Sequence, residues 1–183
     1  MLYEAFFTAL IGISWGAFFL INPLTRHGSA GKASTSIGSI DKDCFIIFYL
    51  NGMAFFILIY FLKCTSKSTY LLGFHILRRL IESSVYSYSP TSTMNFMQFA
   101  TGIVYYPMLL MRSTESQTVR VPLFVAGTLL QTVLHYLLFR KKQHVKYLHY
   151  VSEMIIHSAI TLDYLNLAWI LSFTAINILN RNK

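Results

Sequence analysis

Apolar runs of about bilayer length follow one another along this chain, parted by short polar breaks. A hydrocarbon core about 30 Å thick takes about 20 helical residues to cross. Seven segments read this way: Leu2–Asn22, Asp43–Leu62, Thr69–Ser89, Met94–Met111, Val121–Phe139, Tyr147–Thr161 and Leu162–Leu179, the sixth rather short. Only 12% of the 183 residues are charged and 55% are hydrophobic, whereas a soluble domain carries about a quarter charged residues. The expectation is an all-α, polytopic membrane protein with about seven transmembrane helices, forming a single membrane domain over residues 1–183.

The breaks carry ordinary stop and start signals. Pro23 ends the first run, and Thr25–Lys42 is a Gly/Ser/Thr-rich loop. Pro90 closes the third, and Thr91, Ser92 and Thr93 offer N-caps for the fourth. Pro107 is expected to kink the end of the fourth, and Pro122 sits in the first turn of the fifth, where proline is tolerated. A break near Asp163 separates the last two. Cys44 and Cys64 stand at opposite ends of one run, about 30 Å apart on a helix, so they do not bridge within it.

A net charge of +8 would point to nucleic acid in a soluble chain. Here the positives lie mostly between apolar runs, which assigns them to topology and lipid headgroups, with no nucleic-acid partner. Arg26, Lys32, Lys42, Arg140, Lys141, Lys142, Lys146, Arg181 and Lys183 fall on one side; Lys63, Lys67, Arg112 and Arg120 fall on the other. The richer side is cytosolic, so the C-terminus is cytosolic and the N-terminus is not. The first run begins almost at Met1, follows Glu4 and lacks a basic leader, which reads as a first span or signal anchor.

Within this frame the third segment carries His75, Arg78, Arg79 and Glu82, spaced to share one helix face. A charge near the bilayer centre costs roughly 2.5–3.5 kcal/mol. Arg78 and Glu82 can pair at i, i+4. The remaining donors call for an anionic partner, unless the arginines simply snorkel to the headgroups. In the fifth segment Gln131, His135 and Lys142 form a stripe that ends in the basic loop, suited to a phosphate-bearing ligand from the cytosol or, more plainly, to an interhelical hydrogen bond beside positive-inside lysines. The sixth places His149, Glu153 and His157 at i, i+4, i+8, with Tyr150 beside them. The spacing is not a zincin's, so no metal is assigned. Tyr150 and Glu153 read as hydrogen-bond or proton donors in a buried site, or as members of a structural cluster. Asn51, Gln98, Tyr105 and Tyr106 read singly as helix–helix contacts. Together these groups describe a membrane-embedded site for a soluble anionic cofactor and an apolar substrate. They do not choose among reductase, transferase and carrier.

The motifs also resemble a known family. His75-x-Leu77-Arg78-Arg79-Leu80-x-Glu82 resembles the HxLRRLYE motif of the polyprenol (polyprenal) reductases, a branch of the steroid 5α-reductase family, with Ile81 in place of Tyr. Gly102-Ile103-Val104-Tyr105-Tyr106 is similar to the family's GxxYY stretch. Gln131-x-x-x-His135-x-x-Leu138 is similar to QxxxHxxL, and Leu148-His149-Tyr150-Val151-Ser152-Glu153 resembles PHYxxE with Leu for Pro. Asp41 to Tyr49 looks like a degraded PKxYFxHFY segment.

The resemblance implies a steroid 5α-reductase-like seven-helix fold in the endoplasmic reticulum membrane, its N-terminus lumenal, with NADPH bound from the cytosol. It implies reduction of the α-isoprene double bond of polyprenal to give dolichal, on the way to dolichol for protein N-glycosylation. Arg79, Gln131, His135, Lys142 and His149 match cofactor-contact positions, and Glu153 matches the glutamate at the nicotinamide end. Charge builds on the aldehyde oxygen as hydride arrives, so a donor is needed there. Tyr150 and Glu153, the latter kept protonated by burial, are the expected donors, with His75 after them. The polyprenyl tail of the lipid substrate is expected to lie between helices. The family continues beyond the position of Lys183 with an HxxY and a YPxxR…PF segment. Its absence here sets up the alternative expectation of a non-catalytic lipid-binding or scaffold protein.

Overall fold

The computed structural model describes residues 1–20, 39–88, 92–116, 118–140, 145, 147–161 and 163–181. Among them are seven α-helices: α1 (Leu2–Leu20), α2 (Phe45–Phe61), α3 (Lys67–Val85), α4 (Phe96–Glu115), α5 (Val121–Phe139), α6 (Leu148–Ile160) and α7 (Tyr164–Arg181). α1, α5 and the run Lys42–Phe61 containing α2 are long and apolar enough to cross a membrane. α6 has 13 residues, about 20 Å of helix, which is short of a hydrocarbon core of about 30 Å.

The helix ends follow local chemistry. Ser66 and Asn95 begin α3 and α4 with reciprocal capping boxes: Ser66 Oγ accepts from Thr69 N, and Asn95 Oδ1 accepts from Gln98 N at 2.9 Å while Gln98 Oε1 accepts from Asn95 N at 3.1 Å. The cap of α4 is therefore Asn95, and not one of Thr91, Ser92 and Thr93. Thr93–Asn95 instead forms strand β2, antiparallel to β1 (Ser39–Asp41), with Ile40 opposite Met94. α4 runs through Pro107 as far as Glu115. The break near Asp163 is a cap: Asp163 Oδ1 accepts from Leu165 N and Asn166 N at 3.0 Å each.

The helices alternate in direction. At one end of the bundle Ser66 Oγ donates to Ser113 O (2.6 Å), Ser68 Oγ to Ile160 O (2.7 Å), and Arg112 pairs with Asp163 (3.3 Å). Arg120 N donates to Ala159 O there as well. At the other end lie the β1–β2 pair, the bond from Tyr88 N to Asp43 Oδ1 (3.1 Å), and Tyr86 stacked on Phe139 with centroids 4.6 Å apart. These are called below the Asp163 end and the Arg140 end.

α5 packs on α6, α2 on both α3 and α4, and α1 on α7. Gly127 sets the first contact: a Cβ there would stand 2.9 Å from Ile155 Cγ2 and 3.2 Å from the Ile156 nitrogen. A small residue is what lets two apolar helices come this close. Asn51 Nδ2 ties α2 to α4 by donating to Ile103 O (2.7 Å). Phe7, Leu72, Ile76, Leu109, Leu110, Ile156 and Ile160 are buried between the helices. Phe61, Phe74, Ile81, Val85, Leu129, Val133 and Leu171 are exposed on their outward faces. So many large apolar side chains facing out across several helices is the pattern of a surface that meets lipid.

Candidate functional site

The charged face of α3 turns inward. The Arg78, Arg79 and Glu82 side chains are only 13%, 11% and 10% exposed, which rules out snorkelling in this conformation. Glu82 holds both arginines, one on each carboxylate oxygen: Arg78 Nη1 on Oε1 and Arg79 Nη1 on Oε2. Arg78 also donates to Gln131 Oε1 of α5 and, at 3.2 Å, to Thr132 Oγ1. Arg79 donates to the Tyr49 hydroxyl of α2 through Nε (3.2 Å) and Nη2 (2.8 Å), and its guanidinium lies 5.1 Å from the Tyr49 ring centroid. His135 Nδ1 stands 2.7 Å from Arg79 Nη1 and 2.8 Å from Glu82 Oε2. One nitrogen thus faces a donor and an acceptor. Its proton decides which it satisfies, and the opposite nitrogen then carries the complementary role.

Two guanidiniums and one carboxylate leave this cluster with a net positive charge. In a low-dielectric setting such a charge is costly alone and attracts an anion or a strong dipole. Arg79, Gln131 and His135 also line a cavity of about 980 Å3 that runs between the helices. Its wall from α6 carries His149, Tyr150 and Glu153. The His149 ring packs on Tyr150 (3.9 Å between centroids) and faces His135 (5.6 Å). Among the described residues, neither the Tyr150 hydroxyl nor the Glu153 carboxyl has a hydrogen-bond partner. Another part of the lining is apolar: Phe6, Leu10 and Ile13 of α1, and Trp169, Phe173 and Ile176 of α7, lie along it. One hollow therefore has a long apolar part and a polar wall built by α3, α5 and α6.

One expected residue does not reach this hollow. His75 is buried but does not line it; its ring faces His157 of α6 (5.8 Å), with Arg78 Nη2 3.4 Å from its Nδ1. The reason is depth. His75 lies four residues nearer the start of α3 than Arg79, about 6 Å along the axis, where the packed layer beneath the cavity begins. His157 sits at the corresponding depth on α6, so the His149/Glu153/His157 stripe is split. Lys142 lies outside the described residues. Among the described residues no group of His, Cys, Asp or Glu is arranged to hold a metal ion.

Several lining residues were not singled out as site residues from sequence. Tyr49 braces Arg79, Tyr88 reaches the cavity from the segment after α3, and Lys42, 9% exposed, borders it beside the Phe45 ring. Tyr49 falls within the segment similar to PKxYFxHFY, and that was the one signal available for it. Tyr105 lines the cavity as well and donates to Asn166 Oδ1 of α7 at 2.9 Å, so it serves as both contact and wall. Comparison of the chain with protein-family models, curated proteins and solved structures finds no match.

Proposed function

We propose that the chain is an NADPH-dependent reductase of the α-isoprene double bond of a polyprenal, giving dolichal, seated on seven spans in the endoplasmic reticulum membrane with its N-terminus lumenal. The alternating order of the seven helices and their outward apolar faces support the seven-span reading. The observation that carries the functional reading is the two-part cavity: an apolar length for a prenyl chain, joined to a polar wall of Arg79, Gln131, His135, His149, Tyr150 and Glu153. Amide, imidazole and guanidinium donors of that kind fit a nicotinamide dinucleotide. Arg140, at the end of α5, matches a route for the phosphates from the cytosolic side.

NADPH, when bound, supplies the hydride. The residues of the chain have three tasks. Arg79, Gln131, His135 and His149 hold and orient the polar partner. Tyr150 and Glu153 donate hydrogen bonds to the aldehyde oxygen, where negative charge collects as the β-carbon is attacked. The apolar wall excludes water and lays the chain in register. A proton then reaches the α-carbon, so the carbon–carbon π bond is replaced by two C–H bonds. The test is NADPH consumption with polyprenal in microsomes containing the protein. Dolichal formation that is lost in Glu153→Leu supports the reading; a folded preparation with no turnover opposes it.

One observation favours a second reading. Arg79 is already engaged by Tyr49, Glu82 and His135, so the cluster can stand as a closed structural unit. A non-catalytic lipid-binding protein would use the same apolar hollow without a cofactor. Equilibrium binding of NADPH separates the two.

A further inference from the structure

Beneath the cavity a second set of buried polar groups belongs to none of the roles above. His157 of α6 is 2% exposed and Asn166 of α7 is fully buried. Both border Tyr105: its hydroxyl donates to Asn166 Oδ1 at 2.9 Å, and its ring lies 6.3 Å from that of His157. His157 faces His75, and His75 faces Arg78. Arg78 joins the Glu82–His135 cluster on the cavity wall. In the other direction Asp163 caps the turn that carries Asn166 and pairs with Arg112, whose side chain is 42% exposed at the Asp163 end. A line of polar groups thus runs from that surface to Tyr105 and on to the cavity cluster.

Some of the buried atoms without partners among the described residues fall on this line. Arg78 Nε, His157 Nε2 and Asn166 Nδ2 make no hydrogen bond in the structure. Leaving a buried polar group unmet is costly, and three such atoms lie along this one line. Internal water making two to four hydrogen bonds to such groups is the usual resolution. A His, a Tyr and water together form a chain along which a proton can step.

We propose that His157, Asn166 and Tyr105 form a hydrated proton path from the Asp163 end to the cavity, and that it delivers the proton consumed in the reduction. The delivery role rests on the reductase reading; the hydrated path does not. Reduction of a carbon–carbon double bond adds one hydride and one proton. The hydride comes from the nucleotide. The proton leaves the hydroxyl of Tyr105, a residue of the cavity wall, once that hydroxyl turns from Asn166 Oδ1, and is replaced through the water at His157 and Asn166 from the Arg112–Asp163 surface. Tyr105 is then the group that meets substrate, and His157 and Asn166 are positioning residues acting through it. On the charge reading of the loops the Asp163 end is the lumenal one, so hydride and proton arrive from opposite faces.

Two measurements on the full-length protein in lipid nanodiscs test this. The first is nitrogen NMR of the histidine rings with magnetisation transfer from water, on the wild-type protein, which needs no variant to fold. A water contact at His157 supports the path, and a dry ring overturns it. The second compares wild type with His157→Phe, which keeps a ring against His75 and Tyr105. The expected result is a kcat lower by about a hundredfold, the low end of the range for proton transfer, an unchanged KM and a larger solvent deuterium isotope effect. A folded variant with unaltered kcat and isotope effect overturns delivery through His157. Wild-type protein that shows the water contact but never turns over keeps the path and removes the reductase reading alone.

Discussion

Glu82→Gln is the sharpest single perturbation of this fold. The carboxylate holds two guanidiniums, one on each oxygen, and lies 2.8 Å from His135 Nδ1. All of these side chains are 13% exposed or less, so solvent screening does little to soften the change. Glutamine keeps the shape and one acceptor but removes, among the described residues, the only negative charge in hydrogen-bond contact with either arginine. Removing one partner of a buried pair costs about 3–5 kcal/mol, because the other charge is left uncompensated. With two cations left behind, the loss is expected at the upper end of that range. Reversible unfolding in mixed micelles, followed by far-UV circular dichroism, measures it. A companion variant, Arg78→Met with Glu82→Gln, leaves one cation and should recover part of the loss. If Glu82→Gln costs under about 1 kcal/mol, the value of an exposed pair, then the arginines sit in a solvated setting and the inward cluster is not what holds α3 to α5.

Other outcomes follow from the same geometry. Glu153→Leu should lower turnover by about 10²–10³-fold, the range for a lost oxyanion donor, while NADPH binding by fluorescence stays intact; parallel loss of both would assign Glu153 to binding instead. Gly127→Val should loosen α5 from α6 and lower stability by about 1–3 kcal/mol, the cost of overpacking, measured in the same micelle unfolding assay. Asp163→Ala removes the cap of α7 and the partner of Arg112; about 1 kcal/mol or somewhat more is expected for the cap alone, with faster amide exchange at Leu165 and Asn166.

The parts legible in the sequence are those set by spacing within one helix. The interval from Arg78 to Glu82 predicted a shared face, and that face is what meets Gln131 and His135. The apolar runs located all seven helices to within a few residues, because run length and proline breaks are local properties. Asn95-x-x-Gln98 was also readable as a capping box, but the Thr/Ser cluster before it drew the N-cap two to four residues early. What spacing did not give is depth. His75 shares the face of Arg79 but not its level, and only the floor of the cavity separates them. The His149, Glu153 and His157 stripe failed for a related reason: each four-residue step turns the helix about 40° past a full turn, so the third member points to a different neighbour. Tyr49 and Lys42 gave no periodic signal. Tyr49 matters through the packing of α2 on α3, and Lys42 through its place just after the strand Ser39–Asp41, whose pairing with Thr93–Asn95 is too short to show alternation.

The central claim is that one cavity unites an apolar chain with a cationic, hydrogen-bonding wall that handles a dinucleotide. Incubating the purified protein in polyprenal-containing liposomes with NADPH deuterated at the transferable hydride position, followed by mass spectrometry of the lipid, tests it most directly. The account predicts dolichal carrying one deuterium from the nucleotide for each NADPH oxidised. Folded protein that binds polyprenal yet neither binds NADPH nor transfers deuterium would contradict it.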